Sequence, residues 1–252
     1  MQWKSLAVAA SAACSLAACG GGGGSTPTAP ANSPAQGVYQ GTTSSGYSFD
    51  AIVLEDNSIW AIYGTRLNGG LSVTGLFNGS GEATNGSFSE ITEDFPAPGN
   101  APIQGSFSGT YVPGSSVSGT ISEGGRNITV NGTVPVAATY DYNTPAALTT
   151  VTGSWNGSLL DGETASITVS STGNITGTSS GGCSFTGFFS PRASGKNVFD
   201  VTIQFGATPC VAAGQTASGI GIAYPVSNNL TQLVAGLVTS SGALGTAFFA
   251  QR

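Results

Sequence analysis

Few side chains in this chain can do chemistry. Its 252 residues include no histidine, 12 Asp and Glu, 6 Lys and Arg, and 4 Cys. Without histidine there is no Ser-His-Asp triad, no Cys-His nucleophile pair and no imidazole ligand for a metal. After Lys4 the only lysine is Lys196, and Ala193 stands where a Ser-x-x-Lys pattern needs serine. Paired carboxylates are left: Glu55-Asp56, Glu93-Asp94, and Asp161 with Glu163. A glycoside hydrolase uses two such groups, one giving a proton and the other attacking or activating water. All three pairs lie in hairpin turns or in a Pro-rich loop, where acids solvate the chain and start turns. Turn chemistry is therefore expected, with a carboxylate-dependent hydrolase as the lesser alternative. Glu90, Glu93 and Asp94 offer oxygens to Ca²⁺, but their spacing matches no twelve-residue EF-hand loop. The expectation is no catalytic residue, no metal site and no cofactor.

The thiols divide into two groups. Cys183 and Cys210 form an isolated pair, which in an exported chain reads as one disulfide worth roughly 3 kcal/mol in the chain-entropy model. No Cys-x-x-Cys is present, so a redox or metal pair is not expected. Cys14 and Cys19 lie in an N-terminus built like an export signal: Lys4, then a short apolar run over 6–13, then small residues. That run is too short to cross a bilayer, which takes about 20 apolar residues. Leu16-Ala17-Ala18-Cys19 resembles the lipobox of bacterial lipoproteins. The resemblance implies a diacylglyceryl group on the Cys19 sulfur, cleavage before it, and loss of residues 1–18. In proteobacterial lipoproteins Asp after the cysteine favours inner-membrane retention. Here that residue is Gly20, which implies the outer membrane, on a face the signal does not specify. Gly20 to Gly24 and the Ser/Thr/Pro/Ala-rich stretch to Gln36 read as a flexible tether over 19–36.

Composition narrows the class. Charged residues make up 7% of the chain and glycine 39 residues, with Val, Ile, Phe, Tyr and Trp well spaced. Sparse charge with strand-forming residues fits an extracytoplasmic all-β protein and argues against disorder. The net charge is −6 and no basic patch exists, so no nucleic-acid partner is expected. The acids gather in residues 37–142, which hold only Arg66 and Arg126 against them. The rest of the chain is close to neutral.

Period-2 alternation and turn residues place the strands. Strand signals fall at 37–42, 48–54, 58–63, 71–77, 86–91, 105–111, 116–122 and 127–134. Turns are expected at Glu55-Asp56-Asn57, Asn68-Gly69-Gly70, Asn78-Gly79 and Glu123-Gly124-Gly125, and a loop from Glu93 to Pro102. After a linker at 141–147 the series restarts at 148–158 and runs through seven more segments to 250. This gives an acidic domain over 37–140 and a second domain over 148–252 that contains the disulfide, each of about eight strands. Trp60, Tyr63 and Phe77 are expected as core rings. Phe188-Phe189 and Phe248-Phe249 should each send one ring inward, leaving the other exposed or between domains.

Gly37-Val38-Tyr39-Gln40-Gly41 and Gly153-Ser154-Trp155-Asn156-Gly157 share the form Gly-x-aromatic-x-Gly at the first strand of each half. Gly105-Ser106-Phe107-Ser108-Gly109 repeats it. One ring points inward, and the glycines permit bending or close backbone approach. Eight antiparallel strands with short turns close into a small barrel, a better match than a Greek-key sandwich with its longer connections. Val151 to Gly157, with Ile167-Thr168-Val169 and Gly173-Asn174-Ile175-Thr176-Gly177-Thr178, resembles the opening strands of avidin-type barrels. The later pocket tryptophans of that family are missing, so the resemblance implies the barrel and not a biotin site. Lipobox, tether and Gly-rich barrels together resemble surface lipoproteins of the transferrin-binding type, with no binding residue implied. The sequence thus predicts a non-enzymatic lipoprotein held on a membrane through Cys19. Its role is binding or structural, toward a protein or small-molecule ligand that the sequence does not name. The alternative is a small-ligand carrier with a lipocalin- or avidin-like cavity.

Overall fold

A computed structural model of the protein describes residues 34–67, 70–97, 101–135, 140–226 and 229–252. Cys19, the export signal and most of the tether expected over 19–36 lie outside the described residues.

Short strands separated by turns leave two unpaired edges unless the sheet closes on itself. This chain closes twice. The first eight strands are β1 (Gly37–Thr43), β2 (Ser48–Val53), β3 (Ile59–Leu67), β4 (Gly70–Thr84), β5 (Ser87–Pro96), β6 (Ile103–Val112), β7 (Ser116–Glu123) and β8 (Arg126–Thr133). They form one closed barrel with every neighbour antiparallel. A short 3-10 turn at Leu148–Thr150 leads into the second set. It comprises β9 (Gly153–Leu159), β10 (Thr164–Val169), β11 (Asn174–Ser179), β12 (Ser184–Pro191), β13 (Phe199–Phe205), β14 (Thr216–Pro225), β15 (Thr231–Thr239) and β16 (Gly245–Gln251), again closed. The all-β class, the two modules and their eight strands are as the sequence predicts, and the choice between barrel and sandwich falls to the barrel.

The glycine–aromatic motif sits at both seams. β1 meets β8 from Gln40↔Thr133 to Thr43↔Val130, and β9 meets β16 from Leu159↔Phe248 to Gly157↔Ala250. A Cβ on Gly41 would lie 1.9 Å from the Asn131 carbonyl oxygen, and one on Gly157 would lie 2.2 Å from that of Phe249. Neither seam has room for a side chain. The ring between the glycines points inward and donates a hydrogen bond to the carbonyl four residues earlier. Tyr39 Oη reaches Ala35 O at 2.7 Å, and Trp155 Nε1 reaches Val151 O at 2.7 Å. Ala35, expected within the tether, is fully buried as a result.

Three expectations change. Asn78-Gly79 is no turn but the middle of β4, where the Asn78 amide donates to Ile59 O at 3.2 Å. The reversal comes instead at Asn85 and Gly86, both with positive φ. β5 runs on through Glu93, Asp94, Phe95 and Pro96, which were expected in a loop. Its alternation is carried by large inward groups, and Pro96 occupies the strand's last position, where a missing donor costs little. Trp60, expected in a barrel core, faces outward into the joint between the barrels.

That joint is apolar. Ile52, Leu54, Tyr142, Val198 and Ile220 form one buried cluster across it, and Leu76, Phe95, Leu160 and Ala247 another. Phe249 packs there too, while Phe248 and Phe189 fill the second barrel and Phe188 is exposed. At its rim Arg192 of the second barrel forks onto the β2–β3 turn of the first. Nε donates to Glu55 at 2.6 Å, Nη2 to Asp56 at 2.6 Å, and Nη1 to Asp200 of its own barrel at 2.7 Å. Tyr142 Oη adds a bond to Glu55 at 3.0 Å. The guanidinium side chain is 15% exposed, so this fork is shielded more than an ordinary surface pair.

Gly41→Ala and Gly157→Ala should each destabilise their own barrel by about 3 kcal/mol or prevent closure, read as a lowered urea midpoint. Unchanged midpoints would contradict the tight seams. Arg192→Ala should cost about 1–3 kcal/mol and speed protease cleavage within 140–147, leaving each barrel's circular dichroism intact.

Candidate functional site

The two interiors differ in how they are filled. In the second barrel Trp155, Phe189 and Phe199 belong to one buried core, the last two edge to face at 5.7 Å, and a cavity of about 230 Å³ remains. The first barrel replaces Trp155 by the smaller Tyr39 and sets Ala51 opposite Ala61 on β2 and β3, both inward. Its cavity is about 400 Å³, within the range of small-ligand sites. The floor is made by Tyr39, Phe88 and Phe107, and the walls include Phe49, Phe77, Val117 and Val130. The mouth opens at the end carrying the β1–β2 and β7–β8 turns, where Ser45, Tyr47, Pro96, Ile103 and Arg126 line it.

One strand breaks this apolar lining. On β5 the inward face reads Phe88, Glu90, Thr92, Asp94, from mid-barrel toward the mouth, and all four are at least nine-tenths buried. Asp94 lines the cavity and accepts a hydrogen bond from Tyr63 Oη at 2.7 Å. Gly75 makes that contact possible, since a Cβ there would lie 2.0 Å from the Tyr63 ring. Glu123, at the end of β7, lines the same cavity and is 6% exposed. Between Thr92 and Glu123 stands Gly105, paired to both. A Cβ on Gly105 would lie 2.6 Å from Ser122 O, 2.9 Å from Glu123 Cβ and 3.2 Å from Thr92 Oγ1, so Thr92 and Glu123 close over Gly105 and leave no room for a side chain.

The electrostatics are uncompensated. Burial raises the Asp94 carboxyl, against the hydrogen bond from Tyr63 and the charge of Arg126. Burial and then the charge of Asp94 raise Glu123, again against Arg126. Arg126 comes no closer than 4.0 Å to Glu123, and its side chain is 66% exposed. Deeper on the same face, Glu90 is pushed up to about 7 by burial and then by the negative charge of Asp56. Neither Glu90 oxygen has a hydrogen-bond partner, and neither does Thr92 Oγ1.

The acids singled out from sequence therefore separate. Asp161 and Glu163 do turn chemistry: Asp161 accepts from Glu163 N at 3.0 Å, and Glu163 from Gly181 N at 3.2 Å. Glu55 and Asp56 serve the Arg192 fork. Glu93 faces away from Glu90 and Asp94, because neighbours on a strand alternate, so the expected Ca²⁺ triad does not converge. Among the described residues no three His, Cys, Asp or Glu side chains gather to hold a metal ion. Cys183 and Cys210 are disulfide-bonded, joining the start of β12 to the β13–β14 connection. Sequence reasoning missed the cluster of Tyr63, Thr92, Asp94 and Glu123. The signal was there in part: Glu90, Thr92 and Asp94 stand in register with Phe88 at period 2, which marks them as inward.

The chain matches no protein-family model and no curated protein sequence. Among solved structures it is similar to a protein of unknown function of the DUF3598 family from Nostoc punctiforme, at 10% identity over 86% of this chain and 93% of that one, with a TM-score of 0.28. It is also similar to the isotype 1 transferrin binding protein B of serogroup B Neisseria meningitidis, at 10% identity over 82% of this chain and 58% of that one, with a TM-score of 0.23. Both are too distant to bear on the site.

Glu90 gives a pH test. The unfolded chain releases this proton near 4.5 and the native protein holds it to about 7. The native state thus binds more protons in that window, and stability falls as pH rises through it. Asp94 and Glu123, also raised, add the same sign. Glu90→Gln should stabilise the protein by on the order of 2 kcal/mol at about pH 8 and change little at about pH 4, measured by urea unfolding. Equal effects at both pH values would rule out an ionising, buried Glu90.

Proposed function

We propose that the protein is a lipid-anchored, non-enzymatic binding protein whose first barrel takes up a small, largely apolar ligand. The observation that carries this reading is the hollow first barrel beside a better-filled second one of the same design. A barrel kept only for structure gains from aromatic filling, as around Trp155, and loses packing contacts from a cavity. Ala51 leaves space where the second barrel sets Ile167. The anchor in this proposal is the lipobox cysteine Cys19, with Gly20 directing the protein to the outer membrane and the Gly/Ser/Pro stretch setting it off from the lipid surface. Membrane and small ligand are then its partners, and the second barrel, braced by its disulfide, serves as a rigid base.

A hydrolase reading fits less well, although Asp94 and Glu123 share the cavity. Sugar recognition needs several hydrogen-bonding groups around the ring, and the wall below these acids is Phe49, Phe77, Phe107 and Val130.

The neutral dye N-phenyl-1-naphthylamine tests the cavity by its fluorescence gain on entering an apolar site. The wild-type protein should bind it. Ala61→Phe and Ala51→Phe, which fill the space, should weaken binding by about tenfold or more while the barrel's circular dichroism is retained. Binding unaffected by both substitutions would place the dye elsewhere and remove the proposal. A lipopeptide beginning at diacylated Cys19, found by mass spectrometry of cell membranes, is the matching expectation for the anchor, and an unmodified Cys19 would refute it.

A further inference from the structure

We infer that the ligand of the first barrel carries a protonated amine, which Asp94 and Glu123 receive at the mouth while the apolar body lies against the rings below. This rests on the reading of the barrel as a binding cup and names the class of ligand it would take.

Three observations lead there. First, two carboxyl groups line a cavity whose remaining surface is mainly apolar, and each is at least nine-tenths buried. A carboxylate taken out of water costs several kcal/mol unless a counter-charge or hydrogen bonds replace the lost hydration. Tyr63 supplies one such bond to Asp94. Among the described residues the cation beside them is Arg126, which is mostly solvated and sits at 4.0 Å from Glu123. One full positive charge in the cup would complete the set.

Second, the polar part of the lining suits an ammonium better than a metal ion. An ammonium has three N–H donors, and the cup offers two carboxyl groups to accept them, Asp94 and Glu123. A divalent metal needs more, six to eight oxygens for Ca²⁺, and the described residues bring no such cluster together.

Third, the mouth beside these acids is aromatic. Tyr47 and Tyr63 stand with ring centroids 5.4 Å apart, and both line the cavity. Tyrosine faces attract ammonium groups, while they give nothing comparable to a carboxylate or phosphate head. An anionic ligand would also meet Asp94 and Glu123 directly, with only Arg126 in its favour.

The test uses three probes of one shape and different charge: octylamine, 1-octanol and octanoate, titrated into the full chain by calorimetry near pH 7.5. Octylamine should bind about tenfold or more tighter than 1-octanol, and octanoate weakest. In Asp94→Asn/Glu123→Gln the preference of octylamine over 1-octanol should shrink to within about threefold. Should that double variant not fold, the single variants Asp94→Asn and Glu123→Gln should each lose part of the preference. Octanoate binding tightest, 1-octanol binding as well as octylamine, or a preference that survives the substitutions would each overturn the amine assignment. A protein that takes up N-phenyl-1-naphthylamine but none of the three probes would overturn it too and leave the cup standing. Loss of dye binding as well would remove both.

Discussion

Everything in this molecule depends on the first strand of each barrel touching the last. Gly41 and Gly157 bring two backbones so close that the space for a Cβ is already held by a carbonyl oxygen. Two residues before each glycine, a large ring turns inward and ties back to the chain through its own polar atom. The ring caps one end of the barrel and the glycine closes its side. Once closed, neither sheet has an edge to protect, so the sequence can do with few charges and still avoid edge-to-edge pairing. The 7% charged content is then a consequence of closure rather than an oddity of composition.

Closure also makes the interior a quantity that individual side chains control. With strand number and closure alike, the two barrels diverge through a few inward positions. Trp155 against Tyr39 removes a ring from the axis. Ala51 stands where the second barrel has Ile167, and Glu90 and Thr92 stand where it has Val201 and Ile203. One frame therefore yields two cavities of different size and lining, and the barrel with the smaller one carries the disulfide and Arg192.

The repeated architecture was legible because its signals are local. Alternation over six or seven residues, a turn pair and a Gly-x-aromatic-x-Gly motif each act within one hairpin. Where the reading went astray, a longer-range term had won. Asn78-Gly79 has the residues of a turn, but the Asn78 amide finds Ile59 O on the next strand and Gly79 gives room to Thr92, so β4 continues through it. Glu93 to Pro96 looks like loop by composition, yet Asp94 is held by Tyr63 from a strand 31 residues away. Trp60 faces outward because a second barrel covers it, which no single-strand pattern records. Arg192 could be read only as a turn residue, since its partners Glu55 and Asp56 lie 137 and 136 residues distant.

The same long-range contacts give the two barrels an electrostatic link. Asp56 is one of the charges that raise Glu90 inside the first barrel, and Asp56 is also held by Arg192 of the second. When the fork is closed, the guanidinium offsets the turn's negative charge within hydrogen-bond distance. When it opens, Asp56 faces Glu90 with less compensation, and the buried carboxyl becomes harder to ionise. Glu90 stands two residues below Thr92 and four below Asp94 on one face of β5, and Asp56 of the β2–β3 turn thus faces both Glu90 and the Arg192 fork. The two barrels are therefore joined by more than apolar contact. One of the residues that clamp them, Asp56, also contributes to the field at the buried Glu90.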